Sequence, residues 1–340
     1  MFGNVMRNVA MAATLLAGVA GASGANAEQL TVGSFLPGPH HLHTRVLSWF
    51  AEELEKQSGG SLTVQVFPGG QLGSGPVQQY KRALEGVADM TLGVSAYTPT
   101  VFPKTMLAIL PGSSKTAVES TARVWDAYDE YLADEYEDVQ LIGLFTVAGN
   151  VISSTRDMST LDAWKGAKLV PYASMTQPIL EALDAVPVQM PITDVYTGLS
   201  TGTIDAAYTA YSNITPPWNF WDVSPYFVEN VPVHFAVLFV VMNKERYEGL
   251  SPEHKALIDS LAGRPFSMRA AESFDEADTR ARAEMAANPD KMSESKMVRV
   301  SDGELARINE RSKAGLKAIF AQYQDNGIDD AGEIYKALNP

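Results

Sequence analysis

The chain has 340 residues, of which 46% are hydrophobic and 19% charged, and a formal net charge of −14. That balance describes one or two globular domains with a real core, and its acidity argues against nucleic acid or anionic lipid as a partner. Cysteine is absent, which excludes disulfides, thiolate chemistry, cysteine-bound zinc and a lipid anchor on an amino-terminal cysteine.

Residues 1–27 read as an export signal. Arg7 supplies a positive start, Val9 to Ala22 is an apolar stretch too short to span a bilayer comfortably, and Ala25-Asn26-Ala27 is a small-x-small cleavage site. Cleavage after Ala27 would leave 28–340 as a periplasmic chain. QLTVGSF (29–35) then alternates as a strand. Past the loop LPGPHHLH, the spacing of Val46, Leu47, Phe50 and Leu54 predicts an amphipathic helix that Gly59-Gly60 stops. SLTVQVF (61–67) is a second strand, residues 76–86 a helix, DMTLGVSA (89–96) a short strand, 115–136 a long helix and VQLIGLFTV (139–147) an apolar strand.

Near residue 148 the pattern restarts. AKLVPY (167–172), PVQMP (187–191) and TIDAAYTAY (203–211) read as strands, and 176–185 and 193–202 as helices. VHFAVLFVVMN (233–243) is apolar without interruption, the mark of a strand buried on both faces. Residues 251–288 are almost wholly helix-compatible, and helices follow near 302–325 and 330–338. Two strand-and-helix series with a returning strand describe a two-lobed α/β protein, in which ligands sit at the carboxyl ends of strands, in the crevice between lobes.

Catalytic patterns are scarce. There is no GxSxG elbow, HExxH or P-loop. His40, His41 and His43 have the spacing of a metal cluster, but no carboxylate stands near in sequence, and a polar loop capping the helix is the simpler reading. Asp205 at a strand end has the chemistry of a base, yet Asp is common in short α/β turns for backbone hydrogen bonds. The glycines of PGGQLGSG have no Lys or Arg after them until Lys81, which makes them turn glycines rather than a phosphate cradle. An exported enzyme built on His40, His43 or Asp205 is therefore the rival class, and no cofactor or metal is expected.

Three stretches carry a family likeness: FPGGQLGSGPVQQYKRALEGVADM (67–90), LDAWKGAKLV (161–170) and VPVQMPITDVYTGLSTGTIDAA (186–207). In this order they resemble the DctP-like solute-binding proteins of tripartite ATP-independent periplasmic (TRAP) transporters. The resemblance implies two α/β lobes joined by a long helix, a ligand cleft closed by lobe movement, no catalysis, and delivery of a small-molecule solute to integral-membrane TRAP permease subunits. It places lobe one at 28–148 and 237–276, lobe two at 149–236 and 277–310, and a helical tail at 311–340.

The departures from the family pattern concern the ligand. Where relatives carry a carboxylate-clamping arginine this chain has Val170, and where some carry a second arginine it has Asn150. Tyr97 replaces another basic position, and Tyr208-Thr209-Ala210-Tyr211 replaces a run with Glu or Gln and then Asn. A buried carboxylate without a cation costs several kcal/mol. The mapped cleft is instead rich in rings: Phe35, Tyr97, Tyr172, Tyr208, Tyr211 and Trp218, with Phe220 and Trp221 close by. Ile192 completes the expected wall, and His234 either touches the ligand or is a hydrogen-bonded core histidine. This composition favours a neutral or cationic solute, such as an amino alcohol, ammonium compound or polyol. The alternative is an organic acid held by a relocated cation such as Arg156.

Overall fold

Residues 27–147, 151–232 and 236–339 are described by a computed structural model; the expected signal up to residue 26, Asn150 and His234 lie outside these residues. Leu30 and Val32 bury one face of β1 (Glu28–Ser34). A wide helical turn over Leu42–Leu47 runs into α1 (Ser48–Gln57), and Val46, Leu47, Phe50 and Leu54 form its buried stripe. Gly59 and Gly60, both at positive φ, end it. β2 (Leu62–Phe67), α2 (Gln79–Leu84) and β3 (Met90–Val94) follow. The glycine-rich stretch before α2 closes on itself: Arg82 donates to the Ser74 and Gly75 carbonyls at 2.6 and 3.0 Å.

The helix expected over 115–136 is divided. Thr116 caps α3 (Ala117–Ala127), accepting from the Glu119 amide at 3.0 Å. Beyond Ala127 the chain widens over Tyr128–Leu132 and tightens over Ala133–Tyr136. Tertiary contacts impose the change: Glu135 accepts from the Lys104 and Thr105 amides, and buried Tyr136 stacks on Phe102 with centroids 4.9 Å apart. β4 (Val139–Val147) is apolar and almost entirely buried.

The second series holds β5 (Val151–Ser154), β6 (Lys168–Val170), α4 (Gln177–Ala182), β7 (Val186–Pro187), α5 (Ile192–Ser200), β8 (Ala206–Thr209) and β9 (Tyr226–Glu229). The strands expected over 187–191 and 203–211 are shorter, β7 and β8. Pro187 and Pro191 limit the first. The second ends where the Asn213 side chain accepts from the Ala210 amide at 2.8 Å. β10 (Ala236–Asn243) returns, and α6 (Lys244–Glu248), α7 (Pro252–Leu261), α8 (Arg264–Ala287), α9 (Pro289–Glu294), β11 (Lys296–Arg299), α10 (Asp302–Asp325) and α11 (Ala331–Leu338) complete the order.

The strands form two sheets, ordered β2-β1-β3-β10-β4 and β11-β9-β5-β8-β6-β7. In the first, β1 runs parallel to β2 and β3, and β10 antiparallel to β3 and β4. In the second, β6 runs parallel to β7 and β8, while β5 is antiparallel to β8 and β9. This is a two-lobed α/β fold, and α8 crosses it. At one end Phe266 packs 5.4 Å from Phe50, and Ser267 accepts from the Leu144 amide at 2.8 Å. At the other, Ala281 and Met285 join the core beneath the second sheet. Among the described residues no helix is long and apolar enough to cross a membrane.

The carboxyl-terminal helices tie both sides together. The Tyr323 hydroxyl on α10 donates to the Pro103 carbonyl at 2.7 Å, and Tyr335 on α11 to Pro111 at 2.6 Å. α10 meets α4 at Gly315, where an added Cβ would lie 2.5 and 2.6 Å from Ile179 Cα and N. Backbone cannot yield as a side chain can. Gly315→Ala is therefore expected to lower stability by about 1–3 kcal/mol, against a helix-propensity gain of about 1 kcal/mol. A raised urea midpoint for the variant would show that the two helices do not meet this closely.

Candidate functional site

The parallel strands β1, β3, β6 and β8 deliver their carboxyl ends to one place between the sheets. Phe35 and Leu36 follow β1, Ala96 and Tyr97 follow β3, Pro171 and Tyr172 follow β6, and Ala210 and Ser212 follow β8. Gln189 and Met190 follow β7, Ile192 opens α5, and Leu238 comes from β10. They enclose a cavity of about 110 Å³ whose remaining wall includes His40, Val170, Tyr208, Trp218 and Phe274 of α8.

The wall is aromatic and uncharged. Tyr172 and Tyr208 lie 5.8 Å apart between ring centroids. His40 meets Trp218 edge-on at 6.5 Å and Phe274 at 6.2 Å. No Lys, Arg, Asp or Glu lines the cavity among the described residues, and residues 148–150 and 233–235 contain none in sequence. Burial pushes the Tyr97 phenol up to about 12 and drives Tyr172 and Tyr208 well above the ordinary range, so all three stay neutral. Burial, then the nearby His41 and His43, holds His40 well below its usual value.

Specific polar contacts shape this wall. The Tyr97 hydroxyl, from the first sheet's side, accepts from the Ile192 amide at 3.0 Å, on the second sheet's side. That bond caps the first turn of α5 and joins the two faces of the cavity. The Trp218 Nε1 is buried without a hydrogen-bond partner among the described residues. Behind Ser212 stands Asp278 of α8, whose carboxylate accepts from the Ser212 amide at 2.9 Å. One turn earlier, Asp275 accepts from the Ala117 and Val118 amides at 2.8 and 3.2 Å. One helix thus anchors a cavity loop of one lobe and the start of α3 in the other.

Of the residues singled out from sequence, Phe35, Tyr97, Val170, Tyr172, Ile192, Tyr208 and Trp218 line the cavity. Val170 is 4% exposed, its isopropyl group at the wall. Thr209 and Tyr211 do not line it. The Thr209 hydroxyl is spent inside the sheet, on Ser153 Oγ at 2.8 Å and the Val151 carbonyl at 3.2 Å. The Tyr211 ring lies under the Arg282 guanidinium at 3.5 Å and its hydroxyl donates to Glu229. Thr209 ends β8 and Tyr211 lies past it, in the short turn Tyr211–Asn213; every residue of β8 is buried, so alternation does not mark its cavity side.

Arg156 is not a relocated cation. Antiparallel β5 pairs Val151 with Thr209 and Ser154 with Ala206, so Arg156 lies beyond the amino end of β8, while the cavity is at its carboxyl end. Asp205 occupies the same far end, accepting from the Lys168 amide at 2.8 Å as a strand anchor. His43 bonds Ser34 Oγ at 2.8 Å and His41 bonds Ser273 Oγ at 2.7 Å. Among the described residues no group of three or more His, Asp or Glu is placed to hold a metal ion. Sequence reasoning missed Gln189, Met190, Leu238 and Phe274 as wall residues, and it weighed His40 only as a metal ligand or a loop residue. Gln189 and Met190 sit inside the motif VPVQMP, which was the available signal; nothing marks Phe274 among the apolar residues of a 24-residue helix.

Comparisons with known proteins agree with this geometry. The family model described as "Bacterial extracellular solute-binding protein, family 7" matches residues 32–323. The chain is 26% identical over 280 residues to the outer membrane transporter protein TsaT of Comamonas testosteroni, covering 81% of this chain and 82% of that one. It is similar in structure to a marine metagenome TRAP solute-binding protein in complex with 3-hydroxybenzoate, with a TM-score of 0.83, 25% identity and coverage of 92% and 96%. A TRAP solute-binding protein from Rhodoferax ferrireducens T118 with copurified benzoate shares the fold at a TM-score of 0.84 and 22% identity, with coverage of 92% and 96%.

Asp278 makes stability depend on pH. Burial raises its carboxyl to about 7, whereas an unfolded Asp titrates near 3.9. Between those values the folded chain holds a proton that the unfolded chain has released, so this group's contribution to stability falls as pH rises from about 4 to about 7. Asp278→Asn keeps an acceptor for Ser212 and removes the titration. In urea unfolding at pH 5, 6, 7 and 8 the variant is expected to gain on wild type at each step; parallel curves would contradict the assignment.

Proposed function

The chain belongs to bacterial extracellular solute-binding protein family 7, it is a TRAP-type solute-binding protein, and from that premise we propose that its solute is a small uncharged aromatic compound handed to a TRAP permease. One observation carries the reading: the cavity wall is mostly rings and aliphatic groups, its polar side chains such as Gln189, Ser212 and Asn213 are neutral, and no cation or carboxylate lines it among the described residues. Its volume of about 110 Å³ is of the same order as the roughly 150 Å³ apolar cavity that accepts benzene. A benzoate-sized anion would lose its hydration without gaining a cation, at a cost on the order of several kcal/mol. A polyol would find neutral partners in Gln189, Ser212 and Asn213, but would bring little apolar surface to the rings and aliphatic groups that make up most of the wall. An ammonium ion would find ring faces, at about 0.5–2 kcal/mol each, and no carboxylate to balance its charge. The sequence-based expectation of a neutral or cationic polar solute thus narrows to its neutral half and shifts from polyols to rings.

In this reading Phe35, Tyr97, Val170, Tyr172, Ile192, Tyr208 and Trp218 contact the solute, and no step is catalytic. Export follows from cleavage after Ala27. The lobes close over the solute, and its higher affinity for the closed form drives that closure. A second reading, an aromatic acid, is favoured by one finding: the relative at 25% identity was solved with 3-hydroxybenzoate.

Thermal shift separates the two. Benzamide and benzyl alcohol are expected to raise the melting temperature more than benzoate and 3-hydroxybenzoate at equal concentration, since a bound ligand stabilises by about 2.7 kcal/mol at a hundredfold excess over its Kd. The reverse ranking would replace the neutral solute with the acid. The Tyr97–Ile192 bond gives an independent check on closure. Tyr97→Phe is expected to weaken benzamide binding about fivefold, the worth of one hydrogen bond made in the closed form, with the circular dichroism spectrum unchanged. Unaltered affinity by calorimetry would mean that the bond does not contribute to capture.

A further inference from the structure

His40 is 5% exposed, and its ring borders both the cavity and a neighbouring pocket between the 39–45 segment and α8. Its Nδ1 accepts from the Leu42 amide at 3.2 Å. An acceptor nitrogen carries no hydrogen, so the neutral ring has its hydrogen on Nε2. A second proton on Nδ1 would set one N–H against another and break the Leu42 bond. No described residue accepts from Nε2, which is therefore left to a partner in one of the two pockets the ring borders.

We propose that His40 is the specificity-determining donor of the cavity, fixed as the neutral Nε2–H form by the Leu42 amide, and that it hydrogen-bonds an uncharged acceptor on the aromatic solute. The proposal rests on the reading of the cavity given above and names the group that orients the solute within it. A carbonyl, amide or ether oxygen matches such a donor. A carboxylate would accept the same bond but gain no imidazolium to balance its charge.

Burial and the two neighbouring imidazoles oppose protonation. His41 stacks on the ring at 4.3 Å and His43 lies at 6.3 Å. Trp218 and Phe274, which cover its other faces, do not titrate near neutrality. The neighbouring pocket presents Arg45, Arg280 and Glu284. Arg45 is engaged by Glu276 at 2.6 Å and Arg280 by the same carboxylate at 3.5 Å, while Glu284 is the carboxylate that lines this pocket and is not among the causes acting on the His40 ring. On the cavity side stand the neutral phenols of Tyr97, Tyr172 and Tyr208, with Asp278 behind Ser212. The lowered His40 pKa agrees with this placement, its causes being burial and then His41 and His43.

Two measurements test it. Long-range proton–nitrogen correlation spectra of the ligand-free protein, with His40→Gln to assign the resonances, are expected to show a neutral ring protonated at Nε2 from pH 8 to pH 5.5. A ring that titrates above pH 5.5, or carries its hydrogen on Nδ1, overturns the proposal whatever the ligand. In calorimetry, His40→Phe keeps a ring but no donor and is expected to lose at least about tenfold in benzamide affinity, while His40→Gln, whose amide nitrogen replaces Nε2, stays within about threefold of wild type. Equal benzamide binding by wild type and His40→Phe overturns the role of His40 and leaves the cavity reading standing. Failure of wild type to bind benzamide overturns the cavity reading and, with it, the ligand class assigned to His40.

Discussion

A buried wall without fixed charge limits what this protein can hold. Hydrogen bonds and ring contacts are the only interactions available to a solute in the cavity, and neither replaces the hydration of a full charge. The phenols of Tyr97, Tyr172 and Tyr208 are kept neutral by burial, and His40 is kept neutral by the Leu42 amide as well. The same burial that gives the site its apolar character therefore also keeps His40 from offering an imidazolium to an anion. Val170 belongs to this set: at the end of β6 it contributes packing where a guanidinium would have contributed a bidentate clamp.

Such a cavity exists only if the two sheets hold their distance, and α8 is the element that reaches both. Its first turns are packed by Phe266 and Phe274 against Phe50 and Phe145. Its middle presents Asp275 to the start of α3 and Asp278 to the Ser212 amide. The two carboxylates lie three residues apart yet serve opposite lobes, because a helical step of three changes the direction by about 60° and the two lobes flank the helix. Asp278 is the more expensive of the pair. It is buried, so its contact with Ser212 is made against a desolvation cost that raises its pKa, and a wall residue of the cavity thereby becomes coupled to a titrating group behind it.

Much of this was legible in the chain. The strand cores, the buried stripe of α1 and the glycines that end it follow from periodicity and from φ requirements, which are local. The positions that reach the cavity from β1, β3 and β6 were legible for a related reason: Phe35, Tyr97 and Tyr172 each fall within three residues past the end of a strand, and strand ends converge on the crevice of an α/β fold. Thr209 and Tyr211 lie off the wall for reasons the sequence does not carry: β8 is buried throughout, so alternation does not say which face meets the cavity, and Tyr211 belongs to the turn past it. The division of the helix over 115–136 was hidden for another reason. It depends on Glu135 bonding amides at residues 104 and 105, a contact that no local propensity encodes.

No cation reaches the cavity wall from elsewhere among the described residues. Arg156 lies at the wrong end of β5, and Arg45 and Arg280 lie in the adjoining pocket, drawn to Glu276. Had one of these turned inward, it would have supplied a cation to the wall. Instead the wall is rich in rings, and the polar contact that spans the cleft is a neutral one, Tyr97 to the Ile192 amide. A closure driven by ring burial and neutral hydrogen bonds tolerates changes in ionic strength that an ion-pair clamp would feel, since screening acts on charges and leaves apolar contact intact. In the proposed reading Val170 belongs to a wall that closes on rings and neutral hydrogen bonds, and the neutral His40 donor orients the solute inside it.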